Sequence, residues 1–162
     1  MTVDIIQKDN PILRDVASEV DVTTLPNAEL SQLVRDMSDA LAAAKDGVAI
    51  AAPQIGVSLR VFVVAGTVVG ENEPNKVFVN PRIVSASKET EVVGEGCLSV
   101  VGHYGSVPRA TRATVEAYDE NGTKFELGGS GLMAQIFQHE IDHLNGILYI
   151  DKAEEVHEVP SE

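Results

Sequence analysis

Cysteine and basic residues are both scarce in this sequence. Its 162 residues include a single cysteine, Cys97, so no disulfide bond can form within the chain. One thiol fits a reducing compartment and makes Cys97 a candidate for chemistry. Twelve basic side chains stand against 25 acidic ones, which gives a formal net charge of −13 at pH 7. Such a chain repels phosphate backbones, so we expect no nucleic-acid partner and interpret the excess acid as solubilising charge.

Long apolar runs are missing as well. No segment approaches the ~20 consecutive apolar residues of a membrane span, so no membrane partner is expected. The N-terminus lacks the basic start and apolar run of a signal peptide, which predicts a cytoplasmic protein. The length fits one compact domain over residues 1–162. Within it, residues 153–162 form a short acidic tail with few apolar anchors, which we expect to be solvated or disordered.

Apolar spacing predicts two helices. One face of the first helix carries Leu30, Leu33, Val34, Met37 and Leu41. The second helix runs from about Gly131 to Leu144 and is apolar over much of its surface, which predicts that it is buried. Pro26 before the first helix is a start signal, and Gly47 and Asn145-Gly146 are stop signals after the first and second helices.

Short β-rich runs lie between these helices. Residues 61–64 and 76–79 are two such runs, and Asn80-Pro81 is predicted to end the second. Residues 112–118 and 123–127 flank the sequence D-E-N-G, a favourable hairpin turn. A helix, several strands and then a buried helix indicate an α+β fold rather than a repeating βαβ pattern.

The buried helix carries an H-E-x-x-H sequence that begins at His139. Because His143 follows one turn later, the two imidazoles lie on one face and can chelate one metal ion. Glu140 is offset from His139 by about 100°, so its carboxylate can act as a base without being a ligand. The alternative is two core histidines with an incidental glutamate, but burying these groups unpaired is costly. We therefore predict a metal site.

The H-E-x-x-H motif has no third ligand downstream. A catalytic metal normally takes three protein ligands and leaves one position open. A metzincin protease supplies another histidine after the motif, where this chain has Tyr149. A thermolysin-like protease takes a glutamate from a further helix, and the acidic tail predicts no such helix. The third ligand is therefore expected upstream.

Two upstream segments can complete the site. Cys97 lies in the sequence G-E-G-C-L-S, where the glycines mark a close backbone approach or an unusual turn. Its thiolate would complete a Cys-His-His set, and the alternative is a small core residue. Gln54 ends a small apolar run that starts at Gly47. Its amide either donates to a developing oxyanion or belongs to an ordinary loop residue.

Together these three segments resemble the signature motifs of the peptide deformylase family. That pattern is G-apolar-G-apolar-A-A-x-Q, then E-G-C-[small or apolar]-S, then Q-H-E-x-D-H. This chain has Gly47 to Gln54, Glu95 to Ser99, and Gln138 to His143, in that order. The similarity extends from about Ile5 to Lys152. It implies a metal-dependent amidase that hydrolyses the N-formyl group from formyl-methionine at the N-terminus of newly synthesised proteins and releases formate.

The resemblance also implies a role for individual residues. The implied metal ligands are Cys97, His139 and His143. Glu140 would be the general acid/base, and Gln54 and the backbone N–H of Leu98 would hold the oxyanion. The implied substrate-binding residues are Val48, Ala49, Ile50, Val93, Glu95, Gly96, Leu132, Gln135 and Ile136. The implied fold is α+β, with antiparallel sheets packed around the buried helix that carries the H-E-x-x-H motif.

The same resemblance implies a cofactor and a partner. A thiolate with two imidazoles suits zinc, iron(II), cobalt or nickel. Family likeness implies one divalent ion per chain, iron(II) in the cell, with zinc, nickel or cobalt in preparations. The implied partners are N-formyl-methionyl nascent peptides. After Asp151 the chain has no long basic helix of the kind that some members use to dock on ribosomes, so direct ribosome docking is not expected.

The chain departs from the family pattern at three positions near the motifs. Ala49 stands where the pattern has its second glycine, and Val101 replaces the usual proline. Tyr104 stands where many bacterial members carry arginine. Ala49 is still expected to be extended, because the β region is open to every L-residue.

Two other functions stay open. One is a metallopeptidase that cuts internal peptide bonds, which cleavage of peptides without formate release would support. The other is a non-catalytic metal-binding protein, which tight metal binding without turnover would support. Glu140 and Gln54 argue against the second, since neither residue is needed merely to hold a metal.

Overall fold

Two antiparallel β-sheets form the framework of the protein. A computed structural model describes residues 4–44 and 47–158. The strands of the larger sheet are β1 (Ala49–Ala51), β2 (Val61–Val64), β3 (Lys76–Ala86), β6 (Arg112–Tyr118) and β7 (Lys124–Ser130). Those of the smaller sheet are β4 (Thr90–Glu95), β5 (His103–Ala110) and β8 (Glu155–Glu158). The spatial orders are β1-β2-β3-β6-β7 and β4-β5-β8, so β1 is an edge strand.

The α-helices of the described ranges are α1 (Ala28–Ala43), α2 (Gly66–Val69) and α3 (Leu132–Leu144). Asn27 caps α1, because its side chain accepts a hydrogen bond from the Leu30 N–H. α3 ends at Leu144 with Asn145 as its C-cap, and Gly146 follows with φ of 76°, a conformation that glycine adopts without steric cost. Both predicted helices are confirmed. No helix in the described ranges is long and apolar enough to span a bilayer.

The five-stranded sheet is covered on both faces near β2. Phe62 and Val64 belong to the core against α3, whereas Val61 and Val63 belong to the core against α1. The alternation arises because successive side chains of a strand point to opposite faces. Phe78 of β3 stacks on Phe62 with ring centroids 4.4 Å apart. A strand covered on both faces forms a continuous apolar run, which is why β2 is recognisable in the sequence.

α3 contacts strands of both sheets. Its apolar residues Ala134, Phe137 and Ile141 pack on the five-stranded sheet. On another side, α3 is linked to β5 by a buried ion pair, in which Arg109 Nη1 lies 2.8 Å from Asp142 Oδ2. This arrangement confirms the expected α+β fold, with antiparallel sheets packed around the helix that carries the H-E-x-x-H motif.

Asn80-Pro81 does not end a strand. β3 continues through both residues, and its register with β6 shifts between Val79 and Arg82. Asn80 adopts φ of 49°. Its side chain accepts a hydrogen bond from the Val20 N–H and donates one to the Val20 C=O, both at 2.8 Å. The predicted break was wrong because these long-range bonds support an irregularity within the strand.

The acidic tail is partly ordered. Residues 155–158 form β8, which pairs with β5 from Ser106↔Glu155 to His103↔Glu158. All four residues of β8 are exposed, so the tail is solvated as expected. These residues are solvated yet ordered, because backbone hydrogen bonds to the edge of β5 hold them without apolar anchors. The rest of the tail, 159–162, lies outside the described residues.

Candidate metal centre and active site

Cys97, His139 and His143 come together at one point. Their ligand atoms all lie within 4.8 Å of one another. Cys97 Sγ is 3.3 Å from His143 Nε2, which is 3.2 Å from His139 Nε2. α3 supplies both histidines one turn apart, and the turn after β4 supplies the cysteine. The three predicted ligands are therefore close enough to share one metal ion.

A buried network of charged side chains orients His139. The Nδ1 atom of this histidine forms a close hydrogen bond with Glu95 Oε1, which leaves Nε2 for the ligand cluster. Arg109 donates to both Glu95 oxygens at 3.0 and 2.9 Å and to Asp142 Oδ2 at 2.8 Å. Lys152 Nζ, which is partly exposed, lies 3.0 Å from Asp142 Oδ2. The network thus runs from the surface to a predicted ligand.

Glu95 is ionised inside this network. Burial raises the pKa of its carboxyl group, but hydrogen bonds from His139 and Arg109 outweigh burial and hold the pKa below its ordinary value. The resemblance implied that Glu95 lies around the methionine pocket. The residue does line the cavity described below, but its carboxylate is bound to His139 and Arg109, because a buried charge needs partners.

Glu140 lies beside the ligand cluster. Its Oε1 atom is 4.0 Å from His139 Nε2. Among the described residues, its Oε2 atom has no hydrogen-bond partner. Burial raises the pKa of Glu140 to about 7, and the charge of His139 opposes that rise. A carboxyl group with a pKa near neutrality can both accept and return a proton.

Gln54 is fixed next to Cys97. Its Oε1 atom accepts a hydrogen bond from the Ala51 N–H at 2.9 Å, which settles which end of the amide is the donor. Nε2 donates to Ser99 Oγ at 3.0 Å and lies 3.6 Å from Cys97 Sγ. The amide donor therefore points into the cluster. Leu98, the other predicted oxyanion donor, lines the same cavity.

A cavity of about 320 Å³ opens beside the cluster. The predicted substrate-binding residues that line it are Val48, Ala49, Glu95, Gly96, Leu132, Gln135 and Ile136. Ile50 and Val93 are not among the lining residues. Ile50 is fully buried in the core against α1, since it points to the face of β1 opposite Ala49. Val93 pairs with Val107 across the three-stranded sheet.

Four further residues support the site without having been assigned a role from the sequence. They are Ser99, Arg109, Asp142 and Lys152. Asp142 lies in the motif from Gln138 to His143, but a charged residue in a short motif is usually solvated. Only the buried position of Arg109, which is 3% exposed, reveals its role. The sequence contained no signal for that burial.

The chain resembles known proteins over nearly its whole length. Residues 2–159 match the family model of polypeptide deformylase. A peptide deformylase of Thermomicrobium roseum is 45% identical over 155 residues, which cover 93% of this chain and 85% of that protein. A peptide deformylase of Heliobacterium modesticaldum is 44% identical over 151 residues, which cover 93% of each.

Solved structures give the same result. A peptide deformylase from Legionella pneumophila superposes with a TM-score of 0.86 at 42% identity, covering 95% of this chain and 87% of that one. A class I type b peptide deformylase from Acinetobacter baumannii with Met-Ala-Ser bound superposes with a TM-score of 0.86 at 34% identity, covering 94% and 98%.

Proposed function

The chain belongs to the polypeptide deformylase family, hydrolases that remove the formyl group from N-terminal formyl-methionine, and from that premise we propose how its own residues perform the reaction. The observation that carries the proposal is the convergence of Cys97, His139 and His143 beside Glu140, at one cavity. We assign residues 1–162 to one catalytic domain.

Cys97, His139 and His143 would hold one divalent metal ion. The donor set fits such an ion, because a thiolate and two imidazoles suit iron(II), zinc, cobalt or nickel. Glu95 on the Nδ1 atom of His139 supports the fit, since metal-binding histidines usually have such a partner. When bound, the ion polarises the formyl oxygen and lowers the pKa of water. We propose iron(II) in the cell, with zinc, nickel or cobalt in preparations.

Glu140 moves the proton in the proposed reaction. Its carboxylate takes a proton from the water that attacks the formyl carbon. It then gives that proton to the amine that leaves, and formate departs. The buried position beside His139 Nε2 and the pKa of about 7 both support this role, because the group can exist in either protonation state near neutral pH.

Gln54 and Leu98 stabilise the negative oxygen that develops on the formyl group. The Gln54 amide is held in place before substrate arrives, since Ala51 and Ser99 fix both its ends. A fixed donor does not have to reorganise as charge develops, which is the main advantage of such sites. The Leu98 N–H would be the second donor. It immediately follows Cys97 and lies at the same cavity.

The cavity and the edge of β1 bind the peptide. Leu132, Gln135 and Ile136 of α3 would surround the methionine side chain. β1 is an edge strand, so an extended peptide can add to it. In an antiparallel strand, successive residues direct their N–H and C=O groups to opposite edges. The backbone groups of Ala49 therefore point to the same edge of β1 as those of Ala51. The Ala51 N–H donates to Gln54 and not to β2, so this is the edge that faces away from β2.

The partners we propose are formyl-methionyl nascent peptides in the cytoplasm. The net charge of −13 supports a peptide substrate over a nucleic acid, because acidic surfaces repel phosphate backbones. Ala49 and Gly96 would offer backbone groups to the bound peptide, and both lie at the cavity. Val48 would line the cavity with its side chain, because its C=O already accepts a hydrogen bond from the Ala65 N–H at 2.8 Å.

Formate release tests the proposal. Protein prepared without oxygen would be assayed on formyl-Met-Ala-Ser, with metal analysis of the same sample. We expect formate and Met-Ala-Ser in equal amounts and one metal ion per chain. Removal of the metal by a chelator should abolish turnover. Cleavage of an internal peptide bond without formate would identify a metallopeptidase, and bound metal without any turnover would identify a binding protein.

A further inference from the structure

A second cavity lies along α1 and takes no part in the reaction described above. Its volume is about 440 Å³, and none of its described lining residues belongs to the cavity beside the predicted metal ligands. We call it the α1 groove. Its apolar floor comes from the segment before α1, from α1 itself and from the loop before β2, and it consists of Val20, Leu30, Leu33, Val57 and Leu59. An apolar surface with a polar rim commonly marks a site of protein or membrane interaction.

The floor of the α1 groove is fixed by the core beneath it. Leu30 and Leu33 are 4% and 7% exposed and belong to the core between α1 and the five-stranded sheet. Val20, Val57 and Leu59 pack against the same core but are only partly buried. The groove therefore exists before a ligand binds, and a preformed surface lowers the entropy cost of binding.

The rim of the α1 groove is acidic. Glu29 and Asp36 both line it, seven positions apart on α1. In a helix this spacing puts them on one face, about 10 Å apart along the axis. Among the described residues, neither carboxylate pairs with a basic side chain. The nearby Arg35 donates to Gln32 Oε1 at 2.9 Å, and Gln32 donates to Asp36 at 2.8 Å. The rim thus offers two carboxylates to a ligand.

Acidic side chains also surround the α1 groove along the chain. Between residues 15 and 39 the only basic side chain is Arg35, against six acidic ones: Asp15, Glu19, Asp21, Glu29, Asp36 and Asp39. Arg60, which follows the loop of the floor, is bound to the Leu144 C=O at 2.9 Å. This charge repels nucleic acids and anionic membranes. It also opposes a second copy of the chain, because a symmetric dimer would place the same acidic rims together. A basic protein is the partner that remains.

We propose that the α1 groove binds an amphipathic helix of a basic protein. The apolar side chains of that helix contact the floor from its i, i+3, i+4 and i+7 positions, the pattern of helices that bind in grooves. Its lysine or arginine side chains pair with Glu29 and Asp36, whose separation of about two helical turns matches basic residues at i and i+7. Docking there leaves the predicted catalytic residues uncovered, because the two cavities share no described lining residue. Docking and deformylation are therefore independent.

The test uses a designed peptide as the probe. It is a fluorescein-labelled, alanine-based helix with leucine at those four positions and lysine on both flanks, and fluorescence polarisation would measure its affinity for the whole protein. One control peptide carries glutamate in place of each lysine, and another carries alanine in place of each leucine. We expect the probe to bind saturably and both controls to bind at least about tenfold more weakly. Its affinity should fall as salt rises, because exposed charges are screened.

Variants assign binding to the α1 groove. Glu29→Lys and Asp36→Lys should each weaken binding by about threefold to tenfold, because an attraction becomes a repulsion. Glu126→Lys, the same charge change at an exposed position of β7, is the matched control and should bind as the parent does. Val57→Gln should weaken binding by placing a polar group in the floor. All four variants should release formate as the parent does, and thermal unfolding would check that each one folds.

Three results would overturn the proposal. One is a probe that does not bind saturably, or a glutamate control that binds as well as the probe. Another is a double variant, Glu29→Lys with Asp36→Lys, that keeps the affinity of the parent. The third is a parent that sediments as a dimer and a double variant that sediments as a monomer, since a second copy would then occupy the groove. Failure of the parent to release formate would instead reject the proposed function and leave binding of the probe measurable.

Discussion

The two sheets contribute to the site by different means. The five-stranded sheet supports α3 through apolar contacts, with Phe62, Phe78 and Phe137 in one cluster. The three-stranded sheet is joined to α3 by buried charges, because Arg109 binds both Glu95 and Asp142. Apolar burial is strong but non-directional, whereas charged hydrogen bonds fix angles and distances. One sheet therefore gives the helix its stability, and the other sets the orientation of His139.

Removal of the Glu140 side chain should have the largest effect on activity while leaving both sheets attached to α3. Glu140→Ala is expected to keep the metal and to lose about 10²- to 10⁴-fold in kcat, the usual contribution of a general acid–base group. The measurement is formate release from formyl-Met-Ala-Ser, together with metal content. Glu126→Ala, an exposed change on β7, is the control and should behave as the parent. Activity within about twofold of the parent would show that another group transfers the proton.

Removal of Arg109 should break the attachment of the three-stranded sheet. Arg109→Met leaves Glu95 and Asp142 buried without their shared cation. Loss of one partner of a buried pair commonly costs about 3–5 kcal/mol. Urea unfolding of parent and variant would measure this cost.

The matched control is Arg82→Met, which removes an ion pair on the larger sheet. Arg82 contacts Glu116 at 3.1 Å, and its side chain is 68% exposed. Exposed pairs contribute little, so the urea midpoint should not move measurably. Equal losses in the two variants would contradict the view that buried charges hold the smaller sheet.

Ala49→Gly tests the apolar contacts between the five-stranded sheet and α3, and its expected effect is smaller. The Ala49 methyl group belongs to the core against α3 and is 7% exposed, which favours packing over crowding of the cleft. We expect a loss of about 0.5–1 kcal/mol in strand stability plus a small loss of packing. KM for formyl peptides should stay unchanged. Ala86→Gly, on the exposed end of β3, is the control. It should lose only the strand stability, because it removes no buried packing. A lower KM in Ala49→Gly would instead indicate that the methyl group crowds the peptide.

Acid should weaken the partly exposed ion pair between Arg14 and Asp151. Burial raises the pKa of Asp151, but Arg14 and the Leu148 N–H outweigh it and hold the pKa below 3.8. A lowered pKa stabilises the fold above the unfolded value, and the contribution disappears as pH falls through the folded value. Asp151→Asn should therefore lose slightly less stability than the parent when urea midpoints at pH 6 and pH 3 are compared. An identical pH dependence in the two proteins would show that this ion pair does not contribute to stability.

The difference between the sheets also explains what could be predicted from the sequence. β2 is a run of four apolar residues, and the hairpin of β6 and β7 has a clear turn sequence. β4 and β5 were not predicted. The inward positions of these two strands include Glu95, Gly105, Val107 and Arg109. A buried pair of charges and a buried glycine hide the alternation that normally reveals a strand.

The same reasoning applies to the site. The H-E-x-x-H motif gave His139, Glu140 and His143 because a helix converts spacing directly into geometry. The prediction of Cys97 as a ligand depended on the missing third ligand, and the resemblance strengthened that prediction. The bond between Glu95 and His139 spans 44 positions in the chain. No local pattern encodes such a contact, so the sequence predicts Glu95 at the pocket, which it lines, but not its hydrogen bond with His139.

The three proposed ligand atoms come from two parts of the fold, α3 and the turn after β4, and this has a consequence for folding. α3 alone brings two imidazoles together, but the thiol of Cys97 joins them only after the three-stranded sheet has docked on the helix. If these residues hold the metal as proposed, its uptake is coupled to completion of the long-range fold. Under the proposed ligand set, a newly made chain in which the three-stranded sheet has not yet docked on α3 would offer only a weak two-histidine site, so full metal affinity would arise together with the mature tertiary structure.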